Sequence, residues 1–110
     1  MDSSGWTDPE VAEMVAQLAR QQEDVEQARR AVEALVVKGG SRGHEVVATM
    51  RGTGELSAVA IDPDAMRRYD ATDIGAMVTE AVTDAQRRLA KATEAHFAPV
   101  LAIAERLPTR

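Results

Sequence analysis

After Pro9, neither glycine nor proline occurs until Gly39. Within this stretch Val11, Met14, Leu18, Gln21, Val25, Ala28, Val32 and Leu35 follow alternating steps of three and four, the a/d spacing of a helical seam. Only Gln21 among them is polar. The start is marked in two ways: Thr7 as N-cap with Glu10 completing a capping box, or Asp8 as cap with Pro9 in the first helical position. Glu26 precedes Arg29 and Arg30 by one helical turn, a favourable charge order. A helix is therefore expected from about Pro9 to about Leu35. At 1.5 Å per residue it is a rod of roughly 40 Å, whereas a compact chain of 110 residues has a diameter of about 35 Å. Such a rod overhangs its own domain with an apolar edge showing, and exposed apolar stripes mark association surfaces. The expected outcome is a homodimer, with Val11, Met14, Leu18, Val25, Val32 and Leu35 as its packing seam.

The remaining chain alternates between strand and helix signals. Lys38-Gly39-Gly40-Ser41-Arg42-Gly43 punctuates it. Val46, Ala48 and Met50 then fall on one face of an alternating strand, Gly52-Thr53-Gly54 forms a hairpin connection, and Leu56 to Ile61 gives a second strand. Val36 and Val37 begin a third strand, pairing across the glycine run. Asp62-Pro63-Asp64 reads as an Asx-type turn that stops the sheet. So small a sheet needs a helix face or a partner's sheet to cover it. Asp70 caps a second long helix, with Asp73 in its first turn. Its apolar line runs Ile74, Val78, Ala81, Ala85, Leu89, Ala92 and His96. Pro99 places its end near Phe97, and Val100, Leu101, Ala104 and Leu107 suggest a short terminal helix stopped by Pro108. The fold class is α+β: long helix, hairpin or three-stranded antiparallel sheet, long helix and short C-terminal helix, completed as an intertwined homodimer. Residues 1–8 are expected to be a flexible segment and 9–107 a single domain.

Composition removes several classes of function. Hydrophobic residues make up 45% and aromatics only 3%, which suits helix packing. Cysteine is absent, so thiol chemistry, disulfides and thiolate metal sites are excluded. His44 and His96 lack partners at ligand spacing, so no metal is expected. No glycine-rich phosphate fingerprint follows a strand and opens a helix, and no catalytic constellation is visible: neither cofactor nor enzymatic activity is expected. No apolar run approaches the ~20 residues of a membrane span, and signal-peptide features are missing, which points to the cytoplasm. The net charge of −5 is unevenly placed: residues 1–35 carry −5, 36–61 carry +1, 62–97 carry −2 and 98–110 carry +1.

Val59-Ala60-Ile61-Asp62-Pro63 at the end of the hairpin, followed by Val78-Thr79-Glu80-Ala81-Val82-Thr83-Asp84-Ala85 in the second helix, resembles the YbaB/EbfC family of small bacterial nucleoid-associated proteins. The resemblance covers about residues 11–97. It implies a homodimer whose long helices project like tweezers from a shared sheet, and double-stranded DNA bound with little sequence preference in the nucleoid, with an influence on gene expression. Two features depart from the family pattern. The first helix carries Glu10, Glu13, Glu23, Asp24 and Glu26 where the family is rich in Lys, Gln and Met, and Thr83 stands where asparagine is common. Phosphate neutralisation dominates non-specific affinity, so any DNA contact along that helix is weakened in this member.

The residues available for phosphate fall into two groups. Lys38, Arg42 and Arg51 surround the hairpin, where glycine N–H groups offer an anion nest; the plainer alternative is a tight turn with solvated charges. Arg87, Arg88 and Lys91 form a second group; there the alternative is intrahelical pairing with Asp84 and Glu94. A two-fold dimer doubles both groups, and Arg29 and Arg30 lie near enough in sequence to the end of the first helix to join them. No base-reading motif such as a helix-turn-helix is present. The rival function on the same scaffold is a dimeric adaptor that recruits a protein partner through its acidic helices and binds DNA weakly or not at all.

Overall fold

A computed structural model of the chain describes residues 8–106. Helix α1 spans Pro9–Glu33, strands β1, β2 and β3 span Val36–Gly40, Val46–Arg51 and Leu56–Ile61, and helices α2 and α3 span Pro63–Arg68 and Ala71–Arg106. Of the two possible starts for α1, the Asp8 cap is the one formed: its carboxylate accepts the Glu10 N–H at 2.9 Å with Pro9 in the first turn. Thr7 and most of the expected flexible segment 1–8 lie outside the described residues. α1 ends slightly before the expected Leu35, where Ala34 donates to Arg30 and Leu35 to Val32.

The strands form an antiparallel meander in the order β1-β2-β3. Lys38, Gly39 and Gly40 are not part of a turn, as the glycine run suggested, but strand residues opposite Thr49, Ala48 and Val47. Ladder bonds need only backbone, and the missing side chain at Gly39 is what lets the sheet approach α3: a Cβ there would lie 2.1 Å from the Ala85 backbone nitrogen. The turn is confined to Ser41–Glu45, with His44 at φ 64°. Val46, Ala48 and Met50 are buried as their alternation predicts, against Ala81 and Ala85 of α3. Val37, Ile61, Met77, Val78, Val82 and Leu89 pack around them. A core built on alanine and glycine contacts brings helix and sheet close. Among the described residues no element packs over the opposite face of the sheet, and β3 is exposed along nearly its whole length.

One helical reading is extended and another needs correction. Asp62-Pro63 does more than stop a strand: it caps α2, with the Asp62 carboxylate accepting the Asp64 N–H at 3.0 Å. The same Asp-Pro device opens α1. The expected break near Phe97 and the separate terminal helix are absent, because α3 runs on through Pro99. Proline removes one ladder bond and kinks a helix, but the loss is local, and continuation keeps Val100 and Leu101 beside Val15, Leu18 and Val25 of α1 along a shared groove. Asp70 caps α3 as expected, accepting the Asp73 N–H at 2.8 Å.

The molecule measures 81 × 23 × 15 Å with a radius of gyration of 22.6 Å, against about 13 Å for a compact chain of this size. The overhang inferred from sequence is therefore present. The seam, however, divides along its length. Ala28 and Val32 are buried within the chain and Leu35 is half-buried beyond the helix end, whereas Val11, Met14, Leu18 and Val25 remain exposed at 43%, 61%, 56% and 39%. Val32 and Leu35 are thus intrachain packing residues rather than part of a free edge.

Candidate nucleic-acid interface

The site is built around Asp84, which lies on α3 one residue before the buried Ala85. One carboxylate oxygen, Oδ2, accepts the Gly40 backbone N–H at 2.9 Å and the Arg88 Nε–H at 3.0 Å. The Gly40 N–H first and Arg88 second hold the Asp84 carboxyl below its ordinary pKa, against a small opposing effect of partial burial. Asp84-Ala85 on the helix and Gly39-Gly40 on the strand therefore interlock: Ala85 fills the space left by Gly39, and Asp84 fastens Gly40. No local pattern pairs positions so distant in sequence.

The β1–β2 loop leaves the sheet immediately after this bond. Ser41 is 2% exposed; its N–H donates to Val46, and its hydroxyl accepts the Val46 N–H at 3.0 Å. His44 donates back to the Ser41 carbonyl. The amides of Gly40, Ser41, His44 and Val46 are thus committed to internal acceptors, and the anion nest read from the glycine run is not formed by them. The loop instead presents the exposed Arg42 side chain.

The six cations expected to meet DNA occupy two regions. Arg42 lies two residues after Gly40, which is bonded to Asp84, and Arg87, Arg88 and Lys91 lie three, four and seven residues after Asp84 on α3, so these four belong to adjoining elements. Lys38 is exposed on the sheet face away from α3, since its neighbours Val37 and Gly39 point toward the helix. Arg51 closes β2 at the far end, roughly 17 Å along the strand from Val46, where it pairs with Glu55 at 3.8 Å. The expected Lys38-Arg42-Arg51 group around the hairpin is therefore split: Lys38 and Arg51 share one sheet face as diagonal neighbours, and Arg42 stands apart from them. On α3, Arg88 forms the anticipated pair with Asp84, while Arg87, Lys91 and Glu94 form no ion pair among the described residues.

Arg67 and Arg68 were not among the expected site residues. They close α2, with Arg67 bound to Asp64 at 2.9 Å and Arg68 lying 5.6 Å from the centre of the Tyr69 ring. The Asp62 N–H donates to the Glu45 carbonyl, so α2 adjoins the sheet end that also carries the Arg42 loop. The signal was available, since Asp62-Pro63 repeats the Asp8-Pro9 start. α1 contrasts with this end in carrying Glu10, Glu13, Glu23, Asp24, Glu26 and Glu33. Its Arg29 is held by Glu26 at 2.9 Å, and this bond raises the guanidinium pKa further. No described helix is long and apolar enough to cross a membrane.

Residues 8–103 match the model of the YbaB/EbfC DNA-binding family. Among similar proteins, a nucleoid-associated protein of Corynebacterium glutamicum is 29% identical over 86% of this chain and 91% of its own length. One from Nocardia farcinica is 31% identical over 83% of each chain, and one from Mycolicibacterium vanbaalenii 32% over 74% of each. The crystal structure of an uncharacterized protein from Helicobacter pylori shares the fold, with a TM-score of 0.64 at 18% identity over 92% of this chain and 98% of that one.

Proposed function

The chain belongs to the YbaB/EbfC DNA-binding family, and from that premise we propose that it is a nucleoid-associated protein that binds double-stranded DNA with little sequence preference, as a homodimer. The observation that carries this reading is the cationic edge of α3, where Arg87, Arg88 and Lys91 lie exposed beside the Arg42 loop. These side chains suit phosphate oxygens, and phosphate contacts position a protein on a duplex without reading its sequence. Lys38 and Arg51, diagonal neighbours on the sheet face away from α3, are secondary contacts.

Dimerisation is supported by the exposed seam Val11, Met14, Leu18 and Val25, which borders an apolar groove shared with Val100 and Leu101. A second copy covers this edge and doubles the cationic surface, offsetting a net charge of −5 locally. The place of action is the bacterial nucleoid, within the cytoplasm, where occupancy of DNA influences gene expression. The concentration of acid on α1 favours a second reading, in which the projecting helices recruit a basic protein partner.

A salt titration against a mixed-sequence duplex separates the two. DNA binding predicts micromolar or tighter affinity at low salt, with log K falling by about 0.9 per neutralised phosphate for each unit of log salt. Absence of binding at low salt leaves the adaptor reading in its place.

A further inference from the structure

We infer that Asp84 is a positioning residue that restrains DNA binding: its carboxylate competes with phosphate for the Arg88 guanidinium. The inference rests on the proposed phosphate contacts of the α3 edge. Its starting point is the double load on a single atom, since Asp84 Oδ2 receives both Gly40 N–H and Arg88 Nε–H. The two bonds make different demands. Holding a backbone N–H requires an oxygen acceptor, which a neutral amide also supplies, though more weakly than a carboxylate does. Holding a guanidinium in preference to water draws on negative charge. The Gly40 bond therefore survives with an uncharged oxygen, strengthened by the charge it now meets, while the hold on Arg88 depends on that charge.

The neighbouring cations sharpen the point. Arg87 and Lys91 have no ion-pair partner among the described residues, so Arg88 is the one restrained member of this edge. Its side chain is 60% exposed and that of Asp84 28%, and pairs this open to water are weak enough for another anion to displace. On meeting DNA, Arg88 exchanges a carboxylate for a phosphate oxygen. Part of its charge is already neutralised beforehand, so it releases fewer counterions on binding than a free arginine does. Asp84 in this way lowers both the affinity and the salt dependence of the surface it helps to build.

The test compares Asp84→Asn with Glu80→Gln, an equal change of charge at an exposed site one turn away that has no bond to Arg88. Each is made in the wild-type and in the Arg88→Gln background, and affinity for a mixed-sequence duplex is measured across a salt series. Asp84→Asn is expected to bind on the order of threefold more tightly than Glu80→Gln, with a log–log salt slope steeper by up to about 0.9 per subunit. Both differences should vanish in the Arg88→Gln background. Equal behaviour of the two neutralisations, or an advantage of Asp84→Asn that survives loss of Arg88, overturns the inference. If Asp84→Asn does not fold, the Arg88 Nε–H resonance of the wild-type protein decides: without DNA its exchange with water should be slower than that of Arg87, and duplex should move it. An Arg88 signal that exchanges like Arg87, or that stays in place while duplex binds, contradicts the competition. Slow Arg88 exchange in a protein that binds no duplex leaves the restraint standing and removes the DNA reading instead.

Discussion

The sheet with the first half of α3, and the arm made by α1 with the far half of α3, use the same apolar vocabulary to opposite ends. In the first region Val46, Ala48, Ala81 and Ala85 are fully buried and Met50 is 3% exposed. In the second, Met14, Val15, Leu18 and Leu101 are between 56% and 61% exposed. Periodicity alone does not distinguish them. What differs is whether another element of the same chain lies opposite: the sheet meets α3 along its buried face, while α1 runs past the end of what can shelter it. One region is explained by folding and the other carries the proposed dimer contact, and charge divides in parallel, with α1 acidic and the cationic edge beside the sheet.

The comparison breaks first at Gly39. Gly39→Val drives a side chain into the backbone of α3 and is expected to cost about 3 kcal/mol or more, lowering Tm by at least about 10 °C. Unchanged melting would mean that the helix does not sit where the sheet region needs it. In the arm, Leu18→Asp or Val25→Asp is expected to reduce helicity and dissociate the proposed dimer together, read by circular dichroism and sedimentation. A well-folded dimer from either variant would remove the seam from the association surface. A third pair of changes probes the charge division. Arg87→Glu with Arg88→Glu should weaken duplex binding by more than about tenfold at low salt while Tm stays nearly constant, whereas Arg51→Ala at the opposite sheet end should have little effect. Comparable losses at both ends would abolish the asymmetry.

The smallest effect concerns Asp84 and acid. Its folded pKa is lower than its unfolded one, because Gly40 and Arg88 bind the charged form. Its contribution to stability is therefore complete above the unfolded value of about 3.9, and is lost as pH falls through the lower folded value. The Tm advantage of the wild type over Asp84→Asn should be flat near neutrality and shrink only below about pH 4. An advantage that grows on acidification would have the wrong sign.

Sequence patterns disclosed the elements whose causes are local. The long α1, the buried alternation of Val46, Ala48 and Met50, the hairpin at Gly52–Gly54 and the Asp70 cap all rest on neighbouring residues. The α+β class and the family resemblance followed from their order. Other features depend on remote contacts and were hidden. Gly39 and Gly40 looked like a turn because the helix that requires their smallness is distant in the chain. Pro99 looked like a stop because the α1 groove beside Val100 and Leu101 does not show in a linear reading. The candidate site was legible as residue types but not as a grouping: Arg42 joins the α3 edge only through Gly40 and Asp84, and Lys38 and Arg51 are separated from it by strand geometry. α2 was missed despite a visible capping signal, since a six-residue helix offers too little periodicity to announce itself.

The close approach at Gly39 has a bearing on how reliably this chain assembles. Sliding β1 along its neighbour by one step would carry Lys38 or Gly40 into the spot where α3 tolerates only a hydrogen atom, and a two-step slide would bring Val37 or Ser41 there. Three of these four bear side chains, and admitting Gly40 forfeits its grip on Asp84. The strand accordingly has a single seat, and every folded copy delivers its Arg42 loop to the same place on the helix.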